Sequence, residues 1–257
     1  MADLEALIFD VDGTLADTER DGHRVAFNLA FKEAGLAWEW SVEQYGELLA
    51  VTGGKERIRY YLEHFNRTFS APADLDSFIA GLHAAKTDHY TRMLSEGLIP
   101  MRGGVKRLLR EARESGLRLA IATTTTPANV SALLQHSLDS SSESWFEVIA
   151  AGDVVPAKKP APDIYLWAMQ QMGLGPEVCL AFEDSYNGVQ SASRASIKSI
   201  LVTTNGYTAQ DDFNGASLVI DQLGEPDQPF RVQQGELNGY HYTDIAMLEA
   251  LHRRSGI

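Results

Sequence analysis

Cysteine is nearly absent from this chain: Cys179 is the single one in 257 residues, which excludes an internal disulfide and a cysteine-built metal cluster. It lies in the apolar run Val178 to Phe182, where a small thiol reads as core filling and not as a nucleophile. Positive charge is scarce as well. Lys and Arg number 22 against 35 Asp and Glu, a formal net charge of −13. The long-range field then repels nucleic acid and anionic membranes, so neither is expected as a partner. A small anionic ligand is still compatible, because a bound cation and a few lysines make a local positive site. Long hydrophobic runs are missing too, with nothing near the ~20 consecutive apolar residues of a membrane-spanning helix. The start, Met-Ala-Asp-Leu-Glu-Ala-Leu, lacks the basic segment, apolar stretch and cleavage site of a secretory signal. The expected location is the cytoplasm, and the monomer is the default oligomeric state.

What is present is a globular composition, 44% hydrophobic and 22% charged, in a length that suits one α/β domain or a core with a smaller insert. Short apolar runs end in polar tips: Leu4 to Phe9 before Asp10, Leu117 to Ala122 before four threonines, Val148 to Ala151 before Gly-Asp, Val178 to Phe182 before Glu-Asp, and Ile200 to Val202 before Thr-Thr. These predict five buried strands. Helical stretches at 103–115, 127–137, 162–172 and 186–195 fall among the later ones. That alternation predicts a doubly wound parallel α/β sheet. Residues 17–98 break it, with helical patterns at 23–35, 42–50, 55–65 and 75–95, and predict an inserted all-helical domain. Pro100 ends the last of these. The division expected is 1–16 with 99–257 as core and 17–98 as insert. Residues 231–257, helical at 243–254, read as a tail packing on the core or on a neighbour.

Asp10-Val11-Asp12-Gly13-Thr14 is the sharpest local signal. At a strand tip the chain turns, so the two carboxylates can divide roles, one attacking and one moving a proton, with Gly13 allowing the tight bend. The competing reading is an ordinary turn with solvated aspartates. Thr123 and Thr124 stand between a strand and a helix start, where hydroxyls and free amides bind phosphate oxygens or merely cap the helix. Lys158-Lys159-Pro160 places ammonium groups before a proline-led helix, as a charge partner for a phosphoryl group or as a solvated loop. Glu183-Asp184 lies at another strand tip and supplies oxygen ligands for a divalent cation, or a helix cap.

In this order, Asp10/Asp12, Thr123, Lys159 and Glu183/Asp184 resemble the four motifs of the haloacid dehalogenase superfamily. The resemblance implies a Rossmann-like core with the insert as a helical C1 cap. It also implies Asp10 as nucleophile and Asp12 as general acid then base. Thr123 and the amides around Thr124 would bind the transferring phosphate, and Lys159, the lysine next to the proline, would balance charge. Mg²⁺ would be held by Asp10, the Asp12 carbonyl and Asp184, with Glu183 a ligand or a group just behind one.

The insert carries its own candidates. Glu19 and His23 lie where the chain leaves the core, His23 divided between core packing and ligand contact. Thr52-Gly53-Gly54-Lys55-Glu56-Arg57 is a glycine turn opening a helix, which binds an anion through free amides, Lys55 and Arg57, or is a capped surface helix with ion pairs. Asp17 to Asn28, Thr52 to Ile58 and Lys158 to Tyr165 resemble the CbbY subgroup. That resemblance implies a phosphorylated sugar as substrate, xylulose-1,5-bisphosphate above others, with one phosphate at Asp10 and the other at the glycine turn. The competing expectations are a β-phosphoglucomutase-like phosphotransferase, a broad sugar-phosphate phosphatase, and a non-catalytic sugar-phosphate binder.

Overall fold

The computed structural model describes residues 2–51, 53–237 and 239–255. The chain divides into two compact units, Met1–Asp17 with Pro100–Ile257, and Thr18–Ile99. Strand β1 (Ala6–Phe9) is wholly buried, as an apolar run in the middle of a parallel sheet has to be. The helical unit follows: a wide turn at Thr18–His23, then α1 (Arg24–Glu33), α2 (Val42–Leu48), α3 (Gly54–His64) and α4 (Leu75–Ser95). Side-chain oxygens set two of its helix starts, Ser41 accepting from the Gln44 amide at 3.1 Å and Asp74 from the Ser77 amide at 3.0 Å. Phe27 and Phe31 lie one turn apart on α1, and each packs on Trp40 with ring centroids 4.8 Å apart. With Tyr45 and Ile58, both fully buried, they form this unit's core. Each such side chain contributes about 1.5–3 kcal/mol by leaving water.

The other unit continues with α5 (Val105–Glu114), β2 (Arg118–Ala122), α6 (Pro127–Leu133), β3 (Val148–Ala150), α7 (Asp163–Met172), β4 (Cys179–Glu183), α8 (Tyr186–Arg194), β5 (Ser199–Thr203), β6 (Leu218–Ile220), β7 (Val232–Gln234) and α9 (Ile245–Ser255). Among the described residues seven strands form one sheet in the order β3-β2-β1-β4-β5-β6-β7. All pairs are parallel except β6 with β7. The expected doubly wound sheet is therefore present. From β1 the chain adds strands outward through β2 to β3, then returns to add β4, β5 and β6 on the other side. The switch point falls between β1 and β4, and the carboxyl ends there are where open α/β sheets bind ligands.

Two strands lay outside the five expected. β6 is a buried apolar run of only three residues, Leu218–Ile220, and β7 is fully exposed along an edge and so carries no buried apolar stretch. Helix α6 ends at Leu133 and widens into a looser turn over Leu134–Leu138, shorter than the predicted 127–137. The tail packs on its own unit: α9 lies against α5 and β5, and His252 Nδ1 meets Ser199 Oγ at 2.8 Å. Cys179 is buried. Among the described residues no helix is long and apolar enough to cross a membrane.

Candidate active site

Strand register builds the site. Phe9 pairs with Phe182 across β1 and β4, their rings stack with centroids 4.2 Å apart, and the Asp10 amide donates to the Phe182 carbonyl at 3.0 Å. Asp10 and the Glu183-Asp184 pair therefore leave adjacent strand ends on either side of the switch point. Carboxylate oxygens of Asp10, Glu183 and Asp184 lie within 4.8 Å of one another, and all three residues are buried. Gly13 has φ +82°, and a Cβ there would stand 2.1 Å from Asp184 Oδ2. The turn after Asp12 thus needs glycine both for its backbone angle and for the space the carboxylate occupies.

Lys159 bridges the cluster. Its Nζ donates to Asp10 Oδ1 at 2.7 Å and to Glu183 Oε1 at 2.6 Å. Burial opposes the ammonium charge, but the two carboxylates outweigh it and hold the group above the usual lysine range. Lys158, by contrast, is engaged at the end of β3, with Asp153 Oδ1 at 2.6 Å and the Gly152 carbonyl, so of the pair it is Lys159 that lies at the acid cluster. Burial pushes Glu183 up to about 7, with the Lys159 charge opposing and the Asp10 charge adding. Asp184 is raised well above the usual carboxylate range by burial, then by Asp10 and Glu183. Burial and mutual repulsion thus oppose ionisation of these acids, and a cation among them would relieve that cost. A hard divalent ion fits this all-oxygen donor set.

Glu183 is held from two sides. Its Oε1 also accepts from Tyr165 Oη at 2.5 Å, while a Cβ on Gly188 would lie 1.8 Å from its Oε2. Its carboxylate is thus packed against the start of α8 and tied to Lys159 and Tyr165. Tyr165 is fully buried on α7, and its ring lies beneath Lys159 at 5.3 Å. Thr123 is fully buried at the end of β2, its amide donating to the Ala150 carbonyl at 2.9 Å and its Oγ1 accepting from the Thr125 amide at 3.3 Å. Thr124 is exposed beside it. Asp12 is half-buried on the turn.

In the helical unit, Gly53 and Gly54 open α3, and Lys55 and Glu56 are exposed in its first turn. Thr52 lies outside the described residues. Arg57 is turned inward: its guanidinium donates to the Leu48 carbonyl at 3.1 Å, to Tyr45 Oη at 2.7 Å and to the Val51 carbonyl at 3.3 Å. Glu19 joins the same network, accepting from Tyr45 Oη at 2.6 Å, with its carboxylate 4.0 Å from Arg57. His23 packs on Tyr90 with centroids 3.9 Å apart and the rings tilted by 30°, and its Nδ1 accepts from Lys86 Nζ at 2.8 Å. Burial, then the charges of Lys86, Arg57 and His83, hold His23 well below the usual histidine range, so it stays neutral. Burial and the charges of Lys86 and Lys55 lower His83 as well.

Sequence reading missed Tyr165, Lys86 and Arg102. Tyr165 sits in an apolar helix, where it reads as core. Lys86 belongs to a mixed-charge helix face that reads as solvated. Arg102 donates to the carbonyls of Gly13, Thr203 at 3.1 Å, Thr204 at 2.5 Å and Asp221 at 3.0 Å, and pairs with Asp17 at 3.4 Å. One guanidinium thereby ties the Asp12-Gly13 turn to the ends of β5 and β6. Its only local signal is a charge beside a glycine pair.

Residues 4–196 match the haloacid dehalogenase-like hydrolase family. The protein CbbY of Rhodobacter capsulatus is 51% identical over 221 residues, covering 86% of this chain and 94% of the relative. The plasmid CbbY of Cupriavidus necator is 45% identical over 249 residues, 97% of each chain. Among solved structures, a mutant CbbY from Rhodobacter sphaeroides in complex with xylulose-(1,5)bisphosphate matches with a TM-score of 0.70 and 44% identity, over 85% of this chain and 94% of that one. With the acid cluster at the switch point and these relatives spanning most of its length, the chain belongs to the haloacid dehalogenase-like hydrolase family, on its CbbY-like branch, and is a phosphatase.

Proposed function

We propose that this chain is a magnesium-dependent phosphatase that works through a phospho-aspartate on a small sugar bisphosphate, with xylulose-1,5-bisphosphate as its substrate and the cytoplasm as its setting. The observation that carries the mechanism is the Lys159 ammonium held between Asp10 and Glu183 at 2.7 and 2.6 Å, beside a third buried acid. Lys159 fixes one Asp10 oxygen, which leaves the other to attack phosphorus in line with the ester oxygen. Asp12, on the turn beyond, gives its proton to the departing alkoxide. It then takes a proton from the water that attacks the phospho-aspartate, which returns Asp10 and releases inorganic phosphate. Thr123 and the amides near Thr124 bind the transferring phosphoryl oxygens. Asp10, the Asp12 carbonyl and Asp184 would hold Mg²⁺, with Glu183 behind them; when bound, the ion aligns the reacting oxygens and offsets phosphoryl charge.

The bisphosphate assignment rests on the relative solved with that compound and on the cations of residues 17–98, proposed here as the cap. Lys55 and the first amides of α3 suit a second phosphate. Arg57, engaged with Tyr45 and Leu48, keeps that helix start in place, and Glu19 and His23 are assigned to the sugar hydroxyls. A phosphate-release screen over sugar mono- and bisphosphates with Mg²⁺, including xylulose- and ribulose-1,5-bisphosphate, tests the reading. It predicts fastest release from xylulose-1,5-bisphosphate, and a raised KM for that substrate in Lys55→Ala. Equal rates on monophosphates with an unchanged KM would refute the two-phosphate assignment. Transfer of the phosphoryl group to a second sugar phosphate in place of water would make the enzyme a mutase.

A further inference from the structure

The loop after β5 carries none of the four motifs, yet it reaches the acid cluster. Asn205 Nδ2 donates to Asp184 Oδ2 at 2.7 Å. Which end of the amide faces Asp184 is set locally, because Asn205 Oδ1 accepts from the Tyr207 amide at 2.8 Å and the Thr208 amide at 3.2 Å, a side-chain-closed turn. The Asn205 amide in turn donates to Thr208 Oγ1 at 3.2 Å. The residue before it is fixed on both sides: the Thr204 amide donates to the Ile220 carbonyl at 2.9 Å, and its carbonyl accepts from Arg102. Asp184 Oδ2 is therefore wedged between the backbone of Gly13 and the Asn205 amide, with a rigid loop behind the donor.

We infer that Asn205 is a positioning residue for Asp184: its Nδ2 holds Oδ2 so that Oδ1 is presented to a divalent cation shared with Asp10. A neutral donor suits this task. An ammonium in its place would orient the carboxylate equally well but would cancel the negative charge that attracts the cation, and Lys159 already supplies one positive charge to the cluster. Partners behind a ligand of this kind are typically worth 10- to 100-fold in metal affinity. The inference rests on the metal site proposed above.

Mn²⁺ is the probe, since it shares the oxygen-ligand preference of Mg²⁺, and its binding to the full chain is read by electron paramagnetic resonance. Asn205→Ala is expected to weaken Mn²⁺ binding by roughly 10- to 100-fold, with thermal unfolding in the absence of metal changed little. Asn205→Asp keeps the oxygen that closes the turn and replaces only the donor facing Asp184, so its affinity and bound-Mn²⁺ spectrum are expected to depart from wild type. Wild-type affinity in Asn205→Ala, or wild-type affinity and spectrum in Asn205→Asp, would overturn the inference, leaving Asn205 as a turn residue. If Asn205→Ala does not fold, Asn205→Asp decides alone. Asp184→Asn separates the two levels: were it to bind Mn²⁺ as tightly as wild type, the metal site itself would be wrong and the inference would fall with it.

Discussion

At the scale of single residues, the site is a set of charges that burial makes costly to leave unpaired, and two substitutions read this out. Tyr165→Phe keeps the ring beneath Lys159 but removes one of the two donors on Glu183 Oε1. It is expected to cost about 1–3 kcal/mol in urea unfolding and to slow phosphate release, and an unchanged midpoint and rate would show the hydroxyl to be idle. His23 responds to pH. Its folded-state pKa lies well below the ordinary 6.5, so below about 6.5 the unfolded chain binds a proton that the native one does not. Stability from this residue is complete above that pH and is lost as pH falls through the depressed native value. Melting temperature is expected to drop more steeply between pH 7 and pH 5 in wild type than in His23→Gln, whose amide oxygen accepts from Lys86 without titrating; parallel curves would contradict this. The same residues show what sequence can reveal. Asp10, Lys159 and Asp184 were legible through their order along the chain, which resembles the family's motifs; each alone also reads as a turn, a solvated loop or a helix cap. Tyr165 and Lys86 were not, because in a helix each looks like its ordinary neighbours until the fold shows what it touches.

At the scale of elements, the helices of the 17–98 segment were legible from periodicity and strands β1 to β5 from short apolar runs with polar tips, since burial imposes both. β6 and β7 were not: β6 is a three-residue apolar run like β3 but stood outside the expected five, and an exposed edge strand such as β7 need not be apolar. The aromatic cluster of the helical unit is held by Trp40, fully buried against Phe27 and Phe31. Trp40→Ala is expected to destabilise that unit by roughly 3–5 kcal/mol, measured by denaturant unfolding, and a loss under about 1 kcal/mol would mean the cluster repacks. Arg102 works between elements, joining the Asp12-Gly13 turn to the ends of β5 and β6. Arg102→Leu leaves several carbonyls without their donor and is expected to cost on the order of 2–5 kcal/mol. Arg102→Lys should recover only part of this, because one ammonium cannot span the same fork.

At the scale of the whole molecule, an acidic chain holds a buried cluster in which Asp10, Glu183 and Asp184 lie together and Lys159 bridges the first two, at the point where strand order reverses. That placement follows from topology: β1 and β4 are distant in sequence and adjacent in the sheet, so their polar tips meet only after folding. The family resemblance made this juxtaposition legible beforehand; the hydrogen bonds from Tyr165, Arg102 and Asn205 that hold it were visible only in three dimensions. The central claim is that Asp10 takes the phosphoryl group. The most direct measurement is peptide mass spectrometry of enzyme acid-quenched during turnover of xylulose-1,5-bisphosphate with Mg²⁺. The account predicts one phosphoryl group on Asp10, with none in Asp10→Asn and no phosphate released by that variant. Phosphate release by Asp10→Asn at the wild-type rate, or a phosphoryl group trapped on another residue, would contradict it.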